Sequence, residues 1–305
     1  LHSLVALAVG SALMVAQPVP MDSVIWLPLV FDGLSGPYGR PSWSPNERQV
    51  AFEYFEYNPP QYHRTLLEVW SDDGTVNQCY IATYSFSGVA WSPIANEIAV
   101  TYPVPPGDCH GIRTFGLAGA HPSWSQDGER IAVGAYSSHP TCDRDTHGDV
   151  WTAASTGGDW RLVVNDGAQP DWSPDDRSIV FVRRGNLWTV GIDGTNEHQI
   201  TDSGYDSWPA WSPDGRYVAF TRVADAPRCR ADVWLVEATG GQSSRVSPIV
   251  EGQSRERPAW SKDGHRLMYF VLDATGSRLG IAIARNVIPV PVQTPTWSSV
   301  KRAYR

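Results

Sequence analysis

The sequence is short of lysine, of cysteine and of runs of one charge. Lys262 and Lys301 are its only lysines; with the arginines it has 24 basic residues against 32 acidic ones, a net charge of −8. Phosphate-backbone binding needs clustered Lys and Arg, so nucleic acid is excluded as a partner class. The four cysteines, Cys79, Cys109, Cys142 and Cys229, form no CxxC pair, which argues against a zinc site or a thioredoxin-like motif. Cys109 and Cys142 fall in equivalent loops of consecutive repeats and are the disulfide to expect if the chain is exported. The eight histidines make no HxH or HExxH pattern, and there is no GxSxG elbow, P-loop or GxGxxG. No catalytic residue and no cofactor is therefore assigned. One apolar run occurs, Leu4 to Ala16, too short to span a bilayer comfortably, so no membrane span is expected. It suits the apolar core of a signal peptide with Ala16 at the cleavage position. The competing reading makes it a strand. Residues 1–20 are accordingly expected to be a signal peptide or an N-terminal strand, and residues 22–305 a single domain.

What the sequence has in abundance is a repeated unit, clearest in Trp208 to Arg222, WPAWSPDGRYVAFTR. Pro209 favours an extended lead-in, Trp211 is a large apolar anchor, and Pro213-Asp214-Gly215 is turn chemistry, with Pro pre-setting φ and Gly free to take positive φ. Val218, Ala219 and Phe220 then suit a strand buried on both faces. Seven such anchors occur, Trp43, Trp91, Trp124, Trp172, Trp211, Trp260 and Trp297, at gaps of 48, 33, 48, 39, 49 and 37 residues. Seven residues beyond each of the first six stands Val50, Ile98, Ile131, Ile179, Val218 or Leu267. Nine beyond stands Phe52, Val100, Val133, Phe181, Phe220 or Tyr269. A third strand often carries a second tryptophan (Trp70, Trp151, Trp188, Trp234), and a fourth follows a Gly-containing turn.

A period near 40 residues with four short strands per unit specifies an all-β β-propeller of four-stranded blades. The expected count is seven, with a composite closing blade in which Pro28 to Gly33 ends a fourth strand and Trp297 begins a first; six is the alternative. The short Trp91 unit, with Pro103, Pro105 and Pro106 inside it, is expected to be an incomplete blade.

The Pro-x-Trp-Ser-Pro-Asp-Gly-x-x-Ile-Ala-Phe unit resembles the WD40-like repeat of the TolB propeller family, over about residues 24 to 305. It departs from that pattern at Pro45-Asn46-Glu47, Pro93-Ile94-Ala95 and Ser299-Val300-Lys301. The resemblance implies an exported protein, periplasmic or extracellular, that acts as a non-enzymatic binding scaffold. The alternative is a propeller enzyme of glycan lyase or hydrolase type, with a rim or channel site built from His110, His139, Asp143 and Asp145. A protein or glycan ligand on the long-loop face of a monomer is expected.

That face is formed by the loops joining strands 2 to 3 and 4 to 1. Its candidate binding residues are Tyr38, Arg40, Tyr62, His63, Asp108, His110, His139, Arg144, His147, Tyr205, Trp208, Arg228, Arg230, Arg255 and Arg257, since aromatic and Arg side chains anchor interfaces. Trp208 stands out because no other copy has a tryptophan three residues ahead of its anchor. Asp143, Asp145 and Asp149 have the alternate spacing of a calcium loop, but His147 and Ala154 stand where ligands are wanted; no metal is assigned.

Overall fold

A computed structural model describes residues 24–28, 39–58, 62–71, 75–82, 88–101, 107–109, 112–117, 120–134, 148–225, 230–274 and 278–287. In chain order the strands are β1 (Val24–Pro28), β2 (Ser42–Trp43), β3 (Gln49–Asn58), β4 (Tyr62–Ser71), β5 (Val76–Ala82), β6 (Val89–Trp91), β7 (Glu97–Thr101), β8 (Gly107–Cys109), β9 (Ile112–Leu117), β10 (Ala120–Trp124), β11 (Arg130–Gly134) and β12 (Asp149–Ala154). They continue as β13 (Arg161–Asn165), β14 (Ala168–Trp172), β15 (Ser178–Arg183), β16 (Asn186–Gly191), β17 (His198–Gln199), β18 (Asp206–Trp211), β19 (Tyr217–Asp225), β20 (Arg230–Glu237), β21 (Ser244–Arg245), β22 (Ser254–Trp260), β23 (Arg266–Leu272) and β24 (Arg278–Arg285).

Among the described residues these strands form six four-stranded sheets, which corrects the expected seven. Each of the first six anchor tryptophans ends the first strand of one sheet, whereas Trp297 lies outside the described residues. The innermost strands touch in the order β2, β6, β10, β14, β18, β22 and back to β2, so the sheets are blades of a closed ring. Closure is composite, as expected, but between different partners: β1 pairs antiparallel with β24 and completes the sheet begun at Trp260. The free edge of β24 is thereby covered. The Trp91 unit is not an incomplete blade either. It has four strands, with β9 inserted parallel to β7 and β8 at the edge beyond it.

The apolar columns seen in the sequence are the cores between blades. Six buried clusters each join two neighbouring sheets, so that every pair around the ring shares one. The small residues Ala51, Ala99, Ala132 and Ala219 are wholly buried where sheets meet face to face. First and last blades pack in the same way: Phe52 meets Phe270 edge to face at 6.0 Å, and the Trp43 indole donates to the Ala259 carbonyl at 3.4 Å. The equivalent indoles of Trp124 and Trp260 donate to Ala90 at 2.9 Å and Ala210 at 3.1 Å, stitching each blade to the one before it.

The Ser and Asp of the repeated turn have a defined job. In four copies Ser Oγ donates to the carboxylate two residues on, as Ser212 does to Asp214 at 2.5 Å, and accepts the backbone N–H five residues on, as from Tyr217 at 2.9 Å. The carboxylate also accepts a backbone N–H of the turn, from Arg216 to Asp214 at 3.1 Å. The Pro45-Asn46-Glu47 departure preserves this geometry: Asn46 Oδ1 takes the carboxylate's place, and Glu47 adopts the left-handed φ of 57° that Gly215 (74°) and Gly264 (72°) adopt elsewhere.

Candidate functional site

Three residues ahead of each of the first six anchors stand Arg40, Gly88, His121, Gln169, Trp208 and Arg257. Where the scaffold columns repeat, this one does not. Its geometry is nonetheless shared: His121, Gln169, Trp208 and Arg257 all take left-handed φ between 52° and 61°, and a register shift breaks the ladder at each of them. A proline follows each of the four, so the bulge forfeits no ladder donor. The bulge residue's own N–H is taken by the preceding blade: Gly88 donates to Glu53 Oε2 at 2.7 Å, Trp208 to Gln169 Oε1 at 2.7 Å and Arg257 to Thr221 Oγ1 at 2.8 Å. Gly88, at φ 114°, is the one member no other residue could replace without a shift, because a Cβ there would stand 2.8 Å from Pro122 Cδ.

These bulges gather the column at the mouth of the central channel, on the side of the connections from fourth to first strands. Arg40, Gly88, His121, Gln169 and Trp208 line a niche of about 10 Å³ there, room for one water molecule, with Val89, Pro122, Pro170 and Pro209. Arg40 reaches across the ring. It precedes β2, yet its guanidinium bonds Asp171 Oδ1 at 2.5 Å on the opposite blade and the Pro209 carbonyl at 2.8 Å. Asp171 is a hub, also accepting from Ser123 Oγ at 2.9 Å and from the Trp211 N–H at 2.7 Å. The Trp208 indole is held between two groups, the Arg257 guanidinium 4.6 Å from its ring and the His121 ring edge-on at 4.6 Å. Cation–π attraction of this kind contributes about 0.5–2 kcal/mol. Burial first, then the charges of Arg257 and Arg40, lower the His121 pKa to about 3, so its imidazole is neutral at physiological pH.

Of the residues expected on a binding face, the structure brings Arg40, Trp208 and Arg257 together here. Tyr205 lies nearby in the connection to β18, its carbonyl accepting the Val223 N–H at 3.0 Å. Arg255 is not a surface residue, at 2% exposure, and with Arg230 it belongs to a cluster between blades. Tyr62 and His63 are on β4, paired with Asn58 and Tyr57, and Asp108 is on β8, paired with Arg113; these are strand positions, because β3 and β4 run longer than the loop reading allowed. Tyr38, His110, His139, Arg144, His147, Arg228, Asp143 and Asp145 lie outside the described residues, as do Cys142 and Cys229. Asp149 opens β12 and accepts the Asp166 N–H at 3.2 Å. Among the described residues no three His, Cys, Asp or Glu side chains gather as metal ligands, and no helix is long and apolar enough to cross a membrane.

Sequence reasoning passed over Gln169 and Asp171, and placed His121 only among scattered histidines. The signal that finds His121 and Gln169 is the alignment itself: they occupy the column three residues ahead of the anchor, where the residue changes from copy to copy. A second hollow, about 550 Å³ between the fourth and fifth blades, is lined by Thr189, Asp193, Thr195, His198 and Trp211 among others. Its polar groups are engaged with one another, Thr195 with Asp193 at 2.6 Å and Thr189 with His198 at 3.1 Å.

Residues 114–263 match the family model of the TolB beta propeller domain. An uncharacterized protein of Agrobacterium fabrum is 34% identical over 160 residues, 48% of this chain and 52% of that protein, so the match spans about half the relative's length. Among solved structures, a gluconolactonase from Xanthomonas campestris is 11% identical with a TM-score of 0.53, over 89% of this chain and 97% of its own. TolB from Acinetobacter baumannii is 14% identical with a TM-score of 0.41, over 81% and 54%. At such identities the likeness to the gluconolactonase speaks for the fold alone.

Proposed function

We propose, on the premise that the chain carries a TolB-type β-propeller, that it is an exported, non-enzymatic binding scaffold whose channel mouth receives an acidic segment of a partner protein. The observation that carries this reading is that two guanidiniums and an indole meet at the mouth. In a protein of net charge −8, the described mouth presents two guanidiniums, Arg40 and Arg257, and the carboxylates beside them are already engaged: Asp171 accepts from three donors, Glu53 accepts the Gly88 N–H, and Glu256 lies 3.8 Å from Arg257. Between the guanidiniums stands the Trp208 indole, against which the Arg257 guanidinium is stacked. Arg and Trp are the side chains that dominate interface energetics, and a guanidinium is suited to forked hydrogen bonding with a carboxylate. The strained backbone of the column fits the same role, since left-handed φ at non-glycine residues costs about 1–3 kcal/mol each and collects at binding sites. The enzymatic alternative was built from residues that the structure does not describe, and nothing in the described site favours it.

The test is selection on the immobilised protein, with random dodecapeptides in one arm and a glycan array in the other. Peptides rich in Asp and Glu with an aromatic or aliphatic residue should be recovered. Recovery of neutral or basic peptides, of glycans alone, or of nothing counts against the reading.

A further inference from the structure

The last two blades share a buried polar cluster that the channel mouth does not use. In the fifth blade the register sets Asp206 opposite Arg222, and the pair closes a two-pronged ion pair at 2.6 and 2.9 Å. In the sixth blade the same position holds Arg255, and the residue opposite is Val271. An arginine thus stands where an aspartate stood, with no acid across the ladder.

Arg255 is 2% exposed. Its Nη2 donates to Gln253 Oε1 at 2.9 Å, while its Nη1 lies 3.8 Å from Asp232 Oδ1, too far to hydrogen-bond. Asp232, also buried, is approached by Arg245 Nη1 at 3.5 Å and by Ser247 Oγ at 3.4 Å. Arg230 is a third guanidinium within electrostatic reach of both Asp232 and Arg255. Tyr269 completes the group, occupying the column where other blades carry Phe or Val; burial pushes its pKa up to about 12, so its hydroxyl keeps its proton.

Four donors of this cluster have no hydrogen-bond partner among the described residues: Arg230 Nε, Arg245 Nε, Arg255 Nη1 and the Tyr269 hydroxyl. The one unpartnered acceptor is Asp232 Oδ2. Among the described side chains three guanidiniums face one carboxylate, an excess of two positive charges. Guanidinium does not shed its proton in proteins, and a buried charge without a counter-charge is strongly destabilising. The deficit is therefore of acceptors and of negative charge together. Water supplies acceptors but no charge.

We infer that the interface between the fifth and sixth blades binds a small inorganic anion of about chloride size, held by Arg230, Arg245, Arg255 and Tyr269. The neighbouring sheets bury Arg255 and Tyr269 to 2% and 1% exposure, which favours a compact, readily dehydrated ion; Arg245, at 25%, provides the route to solvent.

Thermal unfolding of the whole chain, with chloride exchanged for gluconate at constant ionic strength, tests this together with bromide-soaked crystals. The wild-type midpoint should rise saturably by about 2–4 °C as chloride replaces gluconate. That rise should vanish in Arg255→Met and shrink in Tyr269→Phe, and bromide should give an anomalous peak beside Arg255. A chloride response of equal size in wild type and variants, no response in the wild type, or no bromide at this position would overturn the inference. Should Arg255→Met fail to fold, Tyr269→Phe and the bromide map decide it.

Discussion

The two ends of the ring's inner strands are built on opposite plans. At the turn end, Ser and Asp recur copy after copy and satisfy one another and the backbone, so that Ser125, Ser173, Ser212 and Ser261 make the same pair of bonds. At the mouth, three residues ahead of the anchor, the left-handed backbone recurs at His121, Gln169, Trp208 and Arg257, but the side chain changes along the column: arginine, glycine, histidine, glutamine, tryptophan, arginine. A repeat keeps what every blade needs and frees what only the assembled ring uses. Mutations at the first end should therefore act on stability, and mutations at the second on binding.

The sharpest break in that comparison should come from the columns between the ends. Phe220→Ala, in a wholly buried position, should cost about 3–5 kcal/mol in denaturant unfolding. Asp171→Asn should rank next, at about 2–3 kcal/mol, because it strips the counter-charge from Arg40 across the channel; Arg40 keeps 20% of its side-chain surface exposed, which moderates the loss. This variant joins the two ends, and it should weaken stability and alter the mouth together. Ser212→Ala, confined to one turn, should cost about 1 kcal/mol and leave binding unchanged.

A pH dependence is expected as well, confined to the acid range. His121 has a pKa of about 3 in the fold against 6.5 in its ordinary state. Above pH 6.5 both folded and unfolded chains carry it neutral, and it contributes no pH dependence. Between pH 6.5 and 3 the unfolded chain takes up a proton that the folded chain refuses, so stability falls as pH falls through that window. His121→Gln should flatten this part of the stability profile, read by urea unfolding at stepped pH. An unchanged slope would show that His121 titrates normally.

How much of this was legible beforehand follows the same division. The anchor column and the apolar columns seven and nine residues later are local signals, and they specified strands, turns and blades correctly because each blade repeats one hydrophobic pattern. Trp208 was also visible, as the one tryptophan at its place in the unit. Blade number was not, since Trp297 looks like any anchor in isolation and only the pairing of β1 with β24 shows which unit closes the ring. Nor was Asp171: an aspartate before a tryptophan carries no mark of a guanidinium arriving from the opposite blade, 131 residues earlier in the chain. Arg255 looked like a surface arginine because its burial depends on which residue lies opposite it in the ladder.

The central claim is that the mouth selects an acidic ligand through Arg257 and Trp208. It is tested most directly by the affinity of a dodecapeptide of Glu and Phe, beside its Gln-for-Glu analogue, for wild type and for Arg257→Ala. The wild type should bind the acidic peptide at least tenfold more tightly than the analogue, a difference of about 1.4 kcal/mol, and the preference should disappear in the variant. Equal binding of the two peptides by the wild type, or a preference that survives in Arg257→Ala, would contradict it.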